Sequence, residues 1–287
     1  MIRHRIGLLA AAAAGLSLAL AAPAQAQFPD LGKVIGGAKS VQKMGESFRK
    51  ISEPEEIKVG RDLAGIVLGA APLTRNPAQQ AYVNRVGRWL ALHSERPDLP
   101  WKFGVVDSSS VNAFSMPGGY VLITRGLLEQ MRSESELAGV LGHEIAHVVQ
   151  KHQLGALQGS LRNAAVGDMN QYFNSGGGIK SVFTTALVNA GKDLFTRGLS
   201  EGDEFEADRM GVVIAARSGY SPYGLAGVLQ TFSAAPEDKG SALMNKTHPS
   251  PVARIERLDG AMGSQLDKVA GVEDLPGFAA IRGRKKP

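Results

Sequence analysis

His143 and His147 stand four residues apart in the run His143-Glu144-Ile145-Ala146-His147. On a helix that spacing stacks both imidazoles on one face, one turn apart, where they can bind a single metal ion. Glu144 is rotated about 100° around the axis from His143. It is placed to reach a water on the metal's open position rather than the metal itself. This is the geometry that makes H-E-x-x-H a zinc hydrolase motif. Chance is a poor source of it here, because the chain has six histidines in all. It has no cysteine, so disulfides and thiolate sites are excluded and a transition-metal site must use His and carboxylate.

A catalytic zinc needs a third protein ligand and leaves a fourth position for water. The metzincin solution, a glycine and then a histidine three and six residues past the second motif histidine, is excluded by Gln150 and Gln153. The alternative is a carboxylate on another helix, and Glu201-Gly202-Asp203-Glu204-Phe205-Glu206-Ala207-Asp208 offers one. Glu204 and Asp208 share a helical face. Either can ligate zinc while the other accepts the spare N–H of a ligating histidine. A solvated acidic first turn would have the same composition.

These residues need elements to hold them. Ser133-Glu134-Ser135-Glu136 reads as a capping box that starts the motif helix, which is expected to run to about His152. Before it, helical patterns cover Glu53 to Leu68 and a stretch opened by Asn76-Pro77. Trp101 to Val106 and Tyr120 to Thr124 read as strands. A short extended piece, Asn112 to Met116, and the turn Pro117-Gly118-Gly119 lie between them. Further helices are expected at 179–196, 201–218, 222–233 and 252–263, with a loop from Ala234 to Pro251. The Gly-rich stretch 155–178 reads as helical pieces on a hinge, in the manner of a lid. The sum is an α+β chain, predominantly helical, without internal repeats.

Four blocks carry a resemblance to a known family: Asn112-Ala113-Phe114-Ser115-Met116-Pro117-Gly118-Gly119, the His143–His147 motif, Glu204-Phe205-Glu206-Ala207-Asp208 and Thr247-His248-Pro249. In that order they resemble the HtpX/BepA-type gluzincin metallopeptidases, relatives of the membrane CaaX prenyl proteases. The resemblance implies a gluzincin fold with a small β-sheet next to the H-E-x-x-H helix. It implies one Zn2+ per chain held by His143, His147 and Glu204, with Asp208 as the supporting carboxylate. Asn112, Ala113 and Phe114 fall on the family's substrate-aligning edge strand, which pairs with an extended peptide. His248 falls on a loop over the active site, either stabilising the oxyanion with Arg254 or filling the fourth zinc position in a latent enzyme. The family's Ser-Arg is Ser200-Glu201 here, a reversal of charge near the site. His152 reads as structural and His93 as surface.

The N-terminus has a basic start at Arg3-His4-Arg5, an apolar run from Ile6 and a cleavage-type Ala24-Gln25-Ala26. These are the parts of a cleavable signal peptide over 1–26. With no cysteine to lipidate, the chain is expected to be periplasmic and not a lipoprotein. The expected division continues with a lead-in over 27–52, a peptidase domain over 53–265 and a basic tail over 266–287. The formal charge is +5 and falls near +3 without Arg3 and Arg5, with much of the excess in Arg282–Lys286. That tail suits weak contact with anionic lipid and gives no basis for nucleic-acid binding. No later apolar run reaches roughly the 20 residues a membrane helix needs. Too little chain follows Leu258 for a tetratricopeptide array. The expected function is a secreted zinc endopeptidase for misfolded or unassembled envelope polypeptides, with Glu144 as general base. A zinc-bearing holdase for outer-membrane protein precursors is the alternative.

Overall fold

A computed structural model describes residues 51–160, 197–234 and 242–282. The signal peptide, nearly all of the lead-in, the 161–178 part of the expected lid, the 179–196 helix and the last basic residues lie outside the described residues. Helices α1 (Glu53–Ala70) and α2 (Pro77–Leu92) precede strands β1 (Lys102–Val106), β2 (Ala113–Met116) and β3 (Tyr120–Thr124). Then come α3 (Arg125–Gln130), α4 (Glu134–Gln150), α5 (Glu201–Arg217), α6 (Gly224–Ala234), α7 (Ala242–Thr247), α8 (Pro251–Met262) and α9 (Phe278–Ile281). Residues 152–160 are helical as well. Among the described residues, no helix is long and apolar enough to cross a membrane.

The described residues are predominantly helical, with one three-stranded mixed sheet among them in the order β1-β3-β2. β3 is central, parallel to β1 and antiparallel to β2, with Ala113 opposite Ile123 and Met116 opposite Tyr120. The outer edge of β2 pairs with no strand among the described residues. Gly118 and Gly119 make the β2–β3 turn with φ of +74° and +97°, values that favour glycine.

α4 crosses the middle of the core, and Leu137, Leu141, Ile145 and Val148 on it are fully buried. Ser133 caps its start by accepting from the Glu136 N–H. The reciprocal half of the expected capping box is replaced. The Glu136 carboxylate accepts from the Arg132 N–H and Arg132 Nε instead. α5 lies along α4 at a point where both helices carry glycine. A Cβ on Gly142 would sit 2.6 Å from the Gly211 carbonyl oxygen, and one on Gly211 would sit 2.6 Å from the His143 nitrogen. The two backbones therefore touch, which no other residue pair allows.

α4 ends at Gln150, two residues before its expected end, because Lys151 is in the left-handed region at φ 61°. It is the one non-glycine with positive φ among the described residues. That conformation costs an L-residue about 1 kcal/mol. The Lys151 ammonium lies 3.0 Å from Glu56 Oε2, a fully buried carboxylate on α1 that also pairs with Arg96.

Two segments differ from expectation. The expected 234–251 loop contains α7. Residues 266–282, read as part of a tail, pack on the domain. Phe278 is fully buried, Glu273 and Asp274 accept hydrogen bonds from the start of α4, and Arg282 donates to the carbonyls of Met131 and Arg132. Phe278 and Ile281 join the main core, and hydrogen bonds tie the rest, in a stretch too short and too interrupted by Gly and Pro to show a hydrophobic period.

Gly211→Ala should lower the stability of the folded chain by about 1–3 kcal/mol, since the added methyl has backbone on its far side. Gly65→Ala, where a Cβ meets nothing within 4 Å, should raise it by about 0.5–1 kcal/mol. Urea denaturation of both variants checks the pair, and equal effects would contradict the close approach.

Candidate metal centre

The motif residues project from the buried middle of α4, and Glu204 and Asp208 from the first two turns of α5. Because these helices touch at Gly142 and Gly211, their side chains interleave. His143 Nε2 and His147 Nε2 are 3.0 Å apart. Glu204 Oε2 lies 3.6 Å from His143 Nε2, and Oε1 lies 3.5 Å from His147 Nε2. His248, just past α7, places Nε2 3.7 Å from Glu204 Oε2. The ligand atoms of His143, Glu204 and His248 lie within 4.8 Å of one another. All of these residues except His248 are buried.

The donor set fits zinc. Four atoms tetrahedrally placed 2.0–2.1 Å from a common centre are about 3.3 Å apart, within the spread of separations found here. Glu204 Oε2 is buried and accepts no hydrogen bond among the described residues, a costly state for a carboxylate without a cation. Burial pushes the Glu204 carboxyl up to about 7 against the pull of His143 and Arg254. Burial also holds His147 and His248 well below the usual imidazole range, so both are neutral with a lone pair to offer.

Asp208 does the opposite work. Its Oδ1 lies 2.8 Å from His143 Nδ1, so the ring is protonated on that side and its Nε2 lone pair faces the centre. Burial opposes the charge on Asp208, but the Arg254 guanidinium overcomes it and holds the carboxyl well below the usual range. Arg254 reaches both Asp208 oxygens, through Nη2 at 2.5 Å and Nε at 2.9 Å. The expectation placed Arg254 at an oxyanion with His248. Its guanidinium lies behind His143, bonded to Asp208 and with Nη2 3.3 Å from His143 Nδ1.

Glu144 is held separately. Ser115 on β2 donates to its Oε2 at 2.5 Å, and Gln153 Nε2 donates to the Ser115 hydroxyl at 2.6 Å. Burial raises the affinity of Glu144 for a proton. Neither Ser115 nor Gln153 stands out in the sequence. Ser115 sits inside the Asn112–Gly119 block, whereas Gln153 needs the Lys151 turn to come near.

Asn112, Ala113 and Phe114 line an open cavity of about 390 Å³ together with Glu144, His147, Glu204 and His248. The Asn112 side chain is buried, and its Oδ1 has no hydrogen-bond partner among the described residues. A second cavity, of about 360 Å³, runs from His143 and Glu144 toward Val140, Val228, Leu229 and Met244. Glu201, the charge reversal noted in the sequence, is exposed on the first turn of α5. His93 lies on Trp89, away from the site.

The raised Glu204 carboxyl sets the pH behaviour. Below about pH 7 a metal must displace its proton, and the raised His143 adds to the same demand. Apparent zinc affinity should therefore climb by about tenfold or more per pH unit below about pH 7, where both protons must leave, and more slowly above it. Calorimetric titration in buffers of different ionisation enthalpy measures the released proton. An affinity unchanged between pH 5.5 and 7.5 would count against this arrangement.

The family model for peptidase family M48 matches residues 77–262, a span that holds all the residues just described. The beta-barrel assembly-enhancing protease of Escherichia coli (strain K12) is 27% identical over 264 residues, covering 86% of this chain and 50% of that protein. Metalloprotease LoiP of the same organism is 28% identical over 189 residues, 66% of this chain and 73% of its own. The mitochondrial metalloendopeptidase OMA1 of Schizosaccharomyces pombe is 31% identical over 180 residues, 62% of this chain and 51% of its own. The chain spans about half the length of the beta-barrel assembly-enhancing proteases it matches.

Proposed function

The chain belongs to peptidase family M48, and from that premise we propose that it is a zinc-dependent endopeptidase of the cell envelope. One observation carries the reading: a buried carboxylate, Glu144, held by Ser115 beside a cluster of His143, His147 and Glu204 ligand atoms. Those three residues would hold the ion. When bound, zinc polarises the scissile carbonyl and acidifies the attacking water.

The chain's own residues do the rest. Ser115 occupies Oε2 of Glu144, and Oε1 takes the proton of the attacking water. Burial makes that transfer favourable, and Glu144 then returns the proton to the leaving amine. Asp208, fixed by Arg254, keeps the His143 ring in register. Among the described residues β2 is an edge strand of the sheet, a place where an extended peptide would pair along Asn112–Phe114 through its main chain. Main-chain pairing is blind to sequence, as a substrate class of misfolded or unassembled polypeptides requires. The apolar cavity beside Glu144 favours a substrate with an apolar side chain next to the cut. The name of the Escherichia coli relative points toward substrates linked to β-barrel assembly. A signal peptide over 1–26 would deliver the chain to the periplasm, and the basic C-terminus would allow peripheral membrane contact.

His248 faces Glu204 and His143, as a fourth ligand at rest would. That placement favours a latent centre that substrate opens, over a role at the oxyanion. A centre closed in this way also supports a second reading, a zinc-bearing holdase for outer-membrane protein precursors that seldom cuts.

Glu144→Gln should reduce casein hydrolysis by about 10³-fold or more while leaving bound zinc unchanged. Zinc content by atomic absorption and cleavage by gel measure the two quantities. Full activity in the variant would remove Glu144 as the base. Chelator-insensitive binding of unfolded porin, without cleavage by the parent, would favour the holdase.

A further inference from the structure

His152 is buried, with a side chain 7% exposed, and nothing in the peptide-cleaving machinery uses it. Its Nδ1 lies 2.9 Å from His147 Nδ1, the nitrogen on the far side of that ring from the centre. Its own Nε2 faces two carboxylates, Glu206 at 3.4 Å and Asp203 at 3.7 Å. Two acceptors in front of Nε2 place the His152 proton there and leave Nδ1 as an acceptor. His147 must then carry its proton on Nδ1 and donate it to His152. Its Nε2 lone pair is left pointing at His143 and Glu204.

The backbone is shaped for this contact. Five residues along an unbroken helix, His152 would be rotated about 140° from His147 and turned away from it. The left-handed Lys151, clamped to Glu56 on α1, folds the chain back and closes the gap. The same turn brings Gln153 to Ser115. A lysine in a conformation that favours glycine, held by a buried carboxylate, is a local cost kept for a purpose.

We propose that His152 is a positioning residue for the metal centre: through the Lys151 turn it fixes His147 in the tautomer that presents Nε2 to zinc. This mirrors on His147 what Asp208 does for His143, with a neutral ring in place of a carboxylate. The inference rests on the reading of His143, His147 and Glu204 as ligands.

The test is chelator competition for zinc on the full chain, with cobalt(II) absorption as a report on ligand geometry. His152→Ala should weaken zinc binding by about 10–100-fold and alter the cobalt spectrum. His152→Gln, whose Oε1 can still accept from His147, should recover most of the loss. Thermal unfolding of the metal-free chains separates a local effect from loss of fold, and if His152→Ala does not fold, His152→Leu, which fills the space and has no acceptor, takes its place. Two outcomes overturn the proposal: His152→Ala holding zinc as tightly as the parent with the same cobalt spectrum, or Ala and Gln variants losing affinity equally. If the parent binds no zinc, or His147→Ala binds it as well as the parent, the ligand reading itself fails.

Discussion

The His143, His147, Glu204 and Asp208 side chains meet where two helices touch. Bulky contacts hold ordinary helix pairs about 8–10 Å apart, and the spacing at the crossing sets where side chains from the two helices converge. Gly142 and Gly211 remove the side chains at the crossing, so the α4 and α5 backbones meet one residue away from His143. On another flank of α4, Gly139 meets the start of α6 at the Leu225 backbone in the same way. The motif helix is thus packed backbone to backbone on two sides, and its histidines inherit that rigidity.

Around this contact, charge is distributed unevenly. Asp208 is ionised and paired with Arg254, while Glu204, four residues earlier on the same helix, has a buried oxygen that accepts no hydrogen bond among the described residues. The difference arises from neighbours and not from residue type. A guanidinium neutralises one carboxylate and leaves the other to demand a cation. His143 sits between them, with Nδ1 on the satisfied side and Nε2 on the unsatisfied side.

What the sequence made legible follows its local spacing. His143, Glu144 and His147 were readable because one helical turn suffices to relate them. Glu204 and Asp208 were distinguishable as ligand and supporter only through family likeness, because spacing puts both on one face. The α+β class, the strands and the main described helices were visible in periodicity. Ser115 was not visible as a contributor because a serine in a strand looks like any other, and Gln153 and His152 because their approach depends on a left-handed residue, Lys151, that no composition rule anticipates. Gly142 and Gly211 were equally silent, since a helical glycine is informative only when the facing helix is known. The 266–282 segment was read as a tail because its core anchors, Phe278 and Ile281, stand in a short run after Pro276-Gly277 that shows no helical period.

The Asp208–Arg254 pair has a consequence for the order in which this polypeptide assembles. Arg254 lies 111 residues beyond His143, and Glu273, which ties down the start of α4, lies 138 residues beyond Ser135. Such distant partners meet late, after the costly closure of long loops. Asp208 stays unneutralised until α8 docks, and His143 lacks its fixed support until then. A half-folded chain therefore has the motif but not the finished cluster, so the local pattern of the helix and the long-range charge that completes it belong to different stages of one assembly.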